Sequence, residues 1–114
     1  MFAAIKHVML AGVLMLVTFQ SHATDTWTGW KNIAALEVVE TGGFLITFST
    51  PLTASCAGAG PATVYVYATQ NAMTADGVKA QYATALLAFA SGKQVSVMYD
   101  SASTMCWGRY IAVQ

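Results

Sequence analysis

The run Thr74–Tyr99, TADGVKAQYATALLAFASGKQVSVMY, decides how the rest of the chain is read. It holds one helix that hands over directly to one strand. Thr74 is suited to the N-cap, because its hydroxyl can accept from a freed amide of the first turn. Asp76 places negative charge at the positive end of the helix dipole. Val78, Tyr82, Ala85, Leu86 and Phe89 then share one face at helical spacing, which predicts a core face. Ala80, Ala83, Leu87 and Ala90 form a second stripe nearly opposite. That stripe reads either as plain alanine surface or as the close-approach face of an oligomer. The helix runs to about Ser91, and Gly92 is its stop. From Gln94 to Tyr99 the period drops to two, with Val95, Val97 and Tyr99 on one side.

Upstream lie three further strand signals. Ile33 to Glu40 and Phe44 to Thr50 flank Thr41-Gly42-Gly43, a hairpin turn. Phe44, Ile46 and Phe48 fall on one face of the second strand, Leu45, Thr47 and Ser49 on the other. Pro51 ends it. Thr53 to Pro61 is a loop of small residues carrying Cys56. Ala62 to Thr69 alternates again, with Val64, Val66 and Ala68 opposed to Thr63, Tyr65, Tyr67 and Thr69. Downstream, Asp100 to Thr104 turns the chain and Cys106 to Val113 supplies the last strand. Thr24 to Asn32 reads as a polar lead-in with Trp27 and Trp30. The order is β-β-β-α-β-β, a mainly β fold with one helix. A five-stranded OB-type barrel fits it, since closure removes exposed edges. An open antiparallel sheet with the helix on one face is the competing topology.

Residues 1–23 read as a cleaved signal peptide. Lys6 supplies the positive start, Val8 to Phe19 the apolar run, and Ser21-His22-Ala23 the small residues before cleavage. The run is short for a spanning helix, so no stable membrane anchor is expected after cleavage. Residues 24–114 then form a single domain, secreted or periplasmic. In that oxidising setting Cys56 and Cys106 are expected to pair. They would close a loop of about 50 residues, a stabilisation of about 4 kcal/mol in the chain-entropy model. A metal site is the alternative for two cysteines. It lacks ligands, because His7 and His22 both leave with the signal. Neither metal nor cofactor is expected.

The domain keeps Lys31, Lys79, Lys93 and Arg109 against Asp25, Glu37, Glu40, Asp76 and Asp100, a net charge of −1. Nucleic acid demands a basic footprint that this chain lacks. Without histidine it cannot build a Ser-His-Asp or Cys-His arrangement either. Glu37 and Glu40 stand three apart on a strand and so point to opposite faces. The expectation is a binding module rather than an enzyme. Its chemistry lies in aromatic residues, namely Trp27, Trp30, Tyr65, Tyr67, Tyr99, Trp107 and Tyr110. Aromatic faces beside hydroxyls and amides suit sugar rings or protein partners. Trp107 and Tyr110, close to Cys106, are expected to fill the interior.

The Trp27-Thr28-Gly29 start, the Thr41-Gly42 hairpin, the mid-chain helix and Ser91-Gly92-Lys93 followed by Val95, Val97 and Tyr99-Asp100 resemble the B subunits of subtilase-cytotoxin-type AB5 toxins. The stretch Ala80 to Asp100, with Cys106 before the last strand, also resembles a broader set of small secreted bacterial proteins. The resemblance implies an OB-fold, assembly into a homo-oligomer of five subunits, and binding of cell-surface sialoglycans. Tyr99 matches a tyrosine of the toxin glycan pocket, and Asn32 falls where those subunits place a serine. The position of Cys56 departs from the toxin pattern and favours the broader set. On both grounds together the candidate ligand-binding residues are Tyr99, Asn32, Trp30, Tyr65 and Tyr67. The other reading is a structural or protein-interaction module, docking through the tyrosine and threonine row of the third strand.

Overall fold

Alternating strands must bury one face each, and six of them here enclose one core. The structure, a computed structural model, describes residues 24–114; the expected signal peptide, residues 1–23, lies outside the described residues. Its elements are β1 (Asp25–Trp27), β2 (Ile33–Val38), β3 (Phe44–Phe48), β4 (Thr63–Val66), α1 (Ala75–Ser91), β5 (Val95–Asp100) and β6 (Gly108–Val113). They form two three-stranded sheets, ordered β2-β3-β4 and β1-β5-β6, with every pairing antiparallel. The mainly β class with one helix is as expected. The five-stranded closed barrel is not: the two sheets do not merge into one continuous ring of strands.

The additional strand comes from the lead-in. Asp25, Thr26 and Trp27 pair with Asp100, Tyr99 and Met98 and cover what would otherwise be the open edge of β5. Three residues are too few to display alternation, so nothing in their pattern announces a strand.

Two isolated bridges join the sheets. Lys31 pairs antiparallel with Val95, each amide donating to the other's carbonyl at 2.9 Å. Tyr65 pairs parallel with Trp107, and the Tyr65 amide donates to Cys106 O at 3.3 Å. Gly108 permits this second seam. A Cβ there would stand 3.0 Å from both Val64 Cγ1 and Val66 Cγ2, so a side chain would crowd the two valines of β4.

The inward rows of the sheets make the core as their period predicts. Phe44, Ile46, Phe48, Val64, Val66, Val95, Val97 and Tyr99 are all buried. The helix departs from its predicted face. Thr74 caps it, its Oγ1 accepting from Gly77 N at 3.0 Å, and Gly92 ends it in the left-handed conformation. Val78 and Ala85 are buried as expected, but so is Ala88, whereas Leu86 and Phe89 are 45% and 43% exposed. The two buried alanines explain the rotation. Small side chains let the helix backbone approach the sheets closely, which leaves the bulkier residues on the flank.

Cys56 and Cys106 are bonded, with Cα atoms 5.5 Å apart. The bridge ties the loop ahead of β4 to the chain entering β6. Replacing both cysteines with serine is expected to lower the unfolding free energy by about 4 kcal/mol. Urea unfolding of the oxidised protein and the double variant measures this; equal stabilities would show that the bridge constrains nothing.

Candidate functional site

Residues opposite one another in an antiparallel ladder point to the same side of the sheet. The register therefore places Glu37, Leu45 and Tyr65 in one row across the outside of β2-β3-β4. Ala35, Thr47 and Thr63 form the next row, where the two threonine hydroxyls lie 3.2 Å apart. At the β4 end, the parallel bridge sets Trp107 beside Tyr65. Three aromatic rings converge there. Tyr67 and Trp107 meet edge to face with centroids 5.2 Å apart, Tyr65 and Trp107 likewise at 6.2 Å, and the two tyrosines stack at 6.4 Å. All three rings are half-buried. Aromatic pairs at such spacings stabilise one another by about 1 kcal/mol beyond the area they bury.

The backbone around the rings is closely held. Trp107 N donates to Ser103 Oγ at 3.1 Å, while Trp107 O accepts from Asn71 Nδ2 at 3.0 Å and from Asp100 N at 2.9 Å. The Asn71 amide also donates to Asp25 Oδ1 at 3.2 Å, and Asp25 Oδ2 lies 3.7 Å from the Arg109 guanidinium. Arg109, Asp25 and Asn71 thus form a polar chain that ends on the Trp107 carbonyl. On the other flank, Gly43 allows the β2-β3 hairpin to reach the cluster. A Cβ at that position would sit 2.6 Å from Val66 O and 2.7 Å from Tyr67 Cδ1. Neither the Tyr65 nor the Tyr67 hydroxyl has a protein hydrogen bond among the described residues. Both are left to bond water or a ligand.

Of the residues expected to bind ligand, only Tyr65 and Tyr67 come together. Trp30 is 46% exposed and Asn32 is exposed, but they flank Lys31 at the opposite seam. Asn32 contributes its backbone there, its carbonyl accepting from Ser49 N at 3.0 Å. Tyr99 lies in the core instead: it is 1% exposed, and its hydroxyl donates its proton to Ala54 O at 2.8 Å, so it presents no surface to a ligand. Its inward position follows from the same alternation that buries Val95 and Val97.

Trp107 and Tyr110, expected inside, are not enclosed: Trp107 is half-buried and Tyr110 exposed. Cys106 and Gly108 are buried, which turns the intervening Trp107 outward. Tyr110 is 50% exposed and lies in register with Met98 and Trp27 on the outer face of β1-β5-β6. Among the described residues no group of three or more His, Cys, Asp or Glu side chains could hold a metal ion. No helix there is long and apolar enough to cross a membrane.

Comparison with family models, with curated proteins and with solved structures finds no match to this chain.

Burial pushes the Tyr99 phenol above its ordinary value, which has a consequence for stability. Its neutral form is favoured in the folded state, so the stabilisation is fully present below the unfolded value of about 10. It is lost as pH rises through the raised folded value. Tyr99→Phe is expected to cost about 1 kcal/mol at neutral pH by removing the bond to Ala54. The same variant should flatten the alkaline fall in stability, measured by denaturation between neutral and high pH. A variant that kept the full alkaline dependence would contradict this role for Tyr99.

Proposed function

We propose that the chain is an exported binding protein, not an enzyme, that takes a glycan on the Tyr65–Tyr67–Trp107 surface. The observation that carries this is the meeting of three half-buried rings whose two tyrosine hydroxyls have no protein partner among the described residues, next to the polar chain Arg109–Asp25–Asn71 that ends on the Trp107 carbonyl. A sugar ring presents axial C–H groups on one face and hydroxyls around its edge. An aromatic platform with directional polar neighbours complements both. Glu37, two strands from Tyr65, is the only charge in that row and is negative, which inclines the surface toward neutral over sialylated sugars.

Two further observations support the surrounding frame. The disulfide accords with an oxidising compartment, and so with residues 1–23 acting as an export signal. The bridges at Lys31–Val95 and Tyr65–Trp107 support an OB-type reading with β1 as an added edge strand. In that fold class the outer face of the second and third strands, here β3 and β4, is a common ligand surface.

A second reading is docking of a protein partner. The row Trp27–Met98–Tyr110 favours it, since two of its aromatic side chains are about half exposed on the other sheet. A glycan array probed with the exported protein separates the two. The glycan reading expects binding to neutral saccharides that falls at least about tenfold, or about 1.4 kcal/mol, in Trp107→Ala and in Tyr65→Ala. Circular dichroism checks that each variant stays folded. Tyr99→Phe should bind as the parent does. Absence of binding to every glycan, or binding indifferent to both ring deletions, would remove the proposal.

A further inference from the structure

Helix α1 carries its only charges, Asp76 and Lys79, in its first turns; from Ala80 to Ser91 there is none. Yet this stretch does not lie wholly inside. Leu87 is 71% exposed, and Leu86 and Phe89 nearly half exposed, with Ala80, Ala83 and Ala90 exposed between them. On the β2 side lies a mostly apolar cavity of about 290 Å³ lined by Val38, Phe44, Val78, Tyr82 and the one charged residue Lys79. A helix flank of this kind, without a single charge over three turns, is unlike the solvent face of an ordinary surface helix.

We infer that the exposed flank of α1 is covered by the same flank of a second copy of this chain, the two helices running antiparallel. Charge complementarity selects that partner and that direction. Asp76 stands at the start of the helix and Lys93 just beyond its Gly92 cap. Neither has an ion-pair partner among the described residues, where the one salt bridge joins Arg109 to Asp25. In a twofold antiparallel pair residues whose numbers sum to about 169 face one another. Asp76 of each copy then meets Lys93 of the other, twice by symmetry. The alignment also sets the large Leu86 against the small Ala83 and Phe89 against Ala80, with Leu87 opposite Tyr82. Large residues opposite small ones let helix surfaces interdigitate. The two helix dipoles oppose each other, and each Lys79 approaches the negative C-terminal end of the partner helix. A parallel arrangement would instead gather the Lys93 side chains at one end.

Sedimentation equilibrium of the exported protein, across a concentration range about a hundredfold either side of 10 μM, tests this. The expected mass rises from monomer to twice monomer. Leu87→Lys should weaken the association at least about tenfold without altering the circular dichroism spectrum. Asp76→Lys and Lys93→Asp should each weaken it, and the double exchange in one chain should restore it, since the pair is then inverted but still complementary. Monomer at every concentration overturns the inference. So does any assembly, dimer or ring, that ignores Leu87→Lys or that the double exchange fails to restore.

Discussion

The Cys56–Cys106 bond is the constraint on which the rest of the molecule depends. It fastens the loop ahead of β4 to the residue that begins the approach to β6, and those two elements belong to different sheets. Backbone hydrogen bonding at this side consists of the parallel Tyr65–Trp107 bridge and one bond between the adjoining loops, Gly58 N to Thr104 O at 2.8 Å. So few bonds make a weak seam, because an isolated hydrogen bond contributes only about 1 kcal/mol net. The sulfur link adds several times that by limiting the unfolded chain. Tyr99 reinforces the same loop from inside, through its bond to Ala54 O. The opposite seam, Lys31 against Val95, has no covalent support and rests on its two reciprocal 2.9 Å backbone bonds.

Function follows from what that seam places side by side. Tyr65 belongs to β4 and Trp107 to the chain leaving the disulfide. Only when the sheets meet do their rings come within reach of each other and of Tyr67. Gly43 and Gly108 serve the same end by leaving room where a methyl group would crowd β4. The platform is thus a property of tertiary closure, while each strand alone offers just one or two rings. The polar chain beside it is built likewise from distant parts, with Asn71 linking β1 to Trp107 and Asp25 paired to Arg109.

Much of this was legible in the chain, and the parts that were not have definable causes. Phe44, Ile46, Phe48, Val64, Val66, Val95 and Val97 announce their burial by period two, and Thr74 and Gly92 mark the helix ends. The helix face was read a notch off, since alanine carries almost no hydropathy signal and yet Ala85 and Ala88 are the residues that pack. β1 escaped notice because three residues show no period. Two of the three rings of the aromatic platform are visible in the sequence as the Tyr65 and Tyr67 row. The third ring is not, because a parallel pairing between residues 42 positions apart leaves no mark in local pattern. Tyr99 was assigned to a site by resemblance, while its own alternation already pointed it into the core.

The most direct measurement of the central claim is a nuclear Overhauser spectrum of the aromatic protons, recorded before and after reduction of the disulfide. A bridge that holds the seam predicts cross-peaks between the Trp107 indole and the Tyr67 ring in the oxidised protein, given centroids 5.2 Å apart. It also predicts their loss once Cys56 and Cys106 are free. Missing cross-peaks in the oxidised protein, or cross-peaks that survive reduction unchanged, would contradict it.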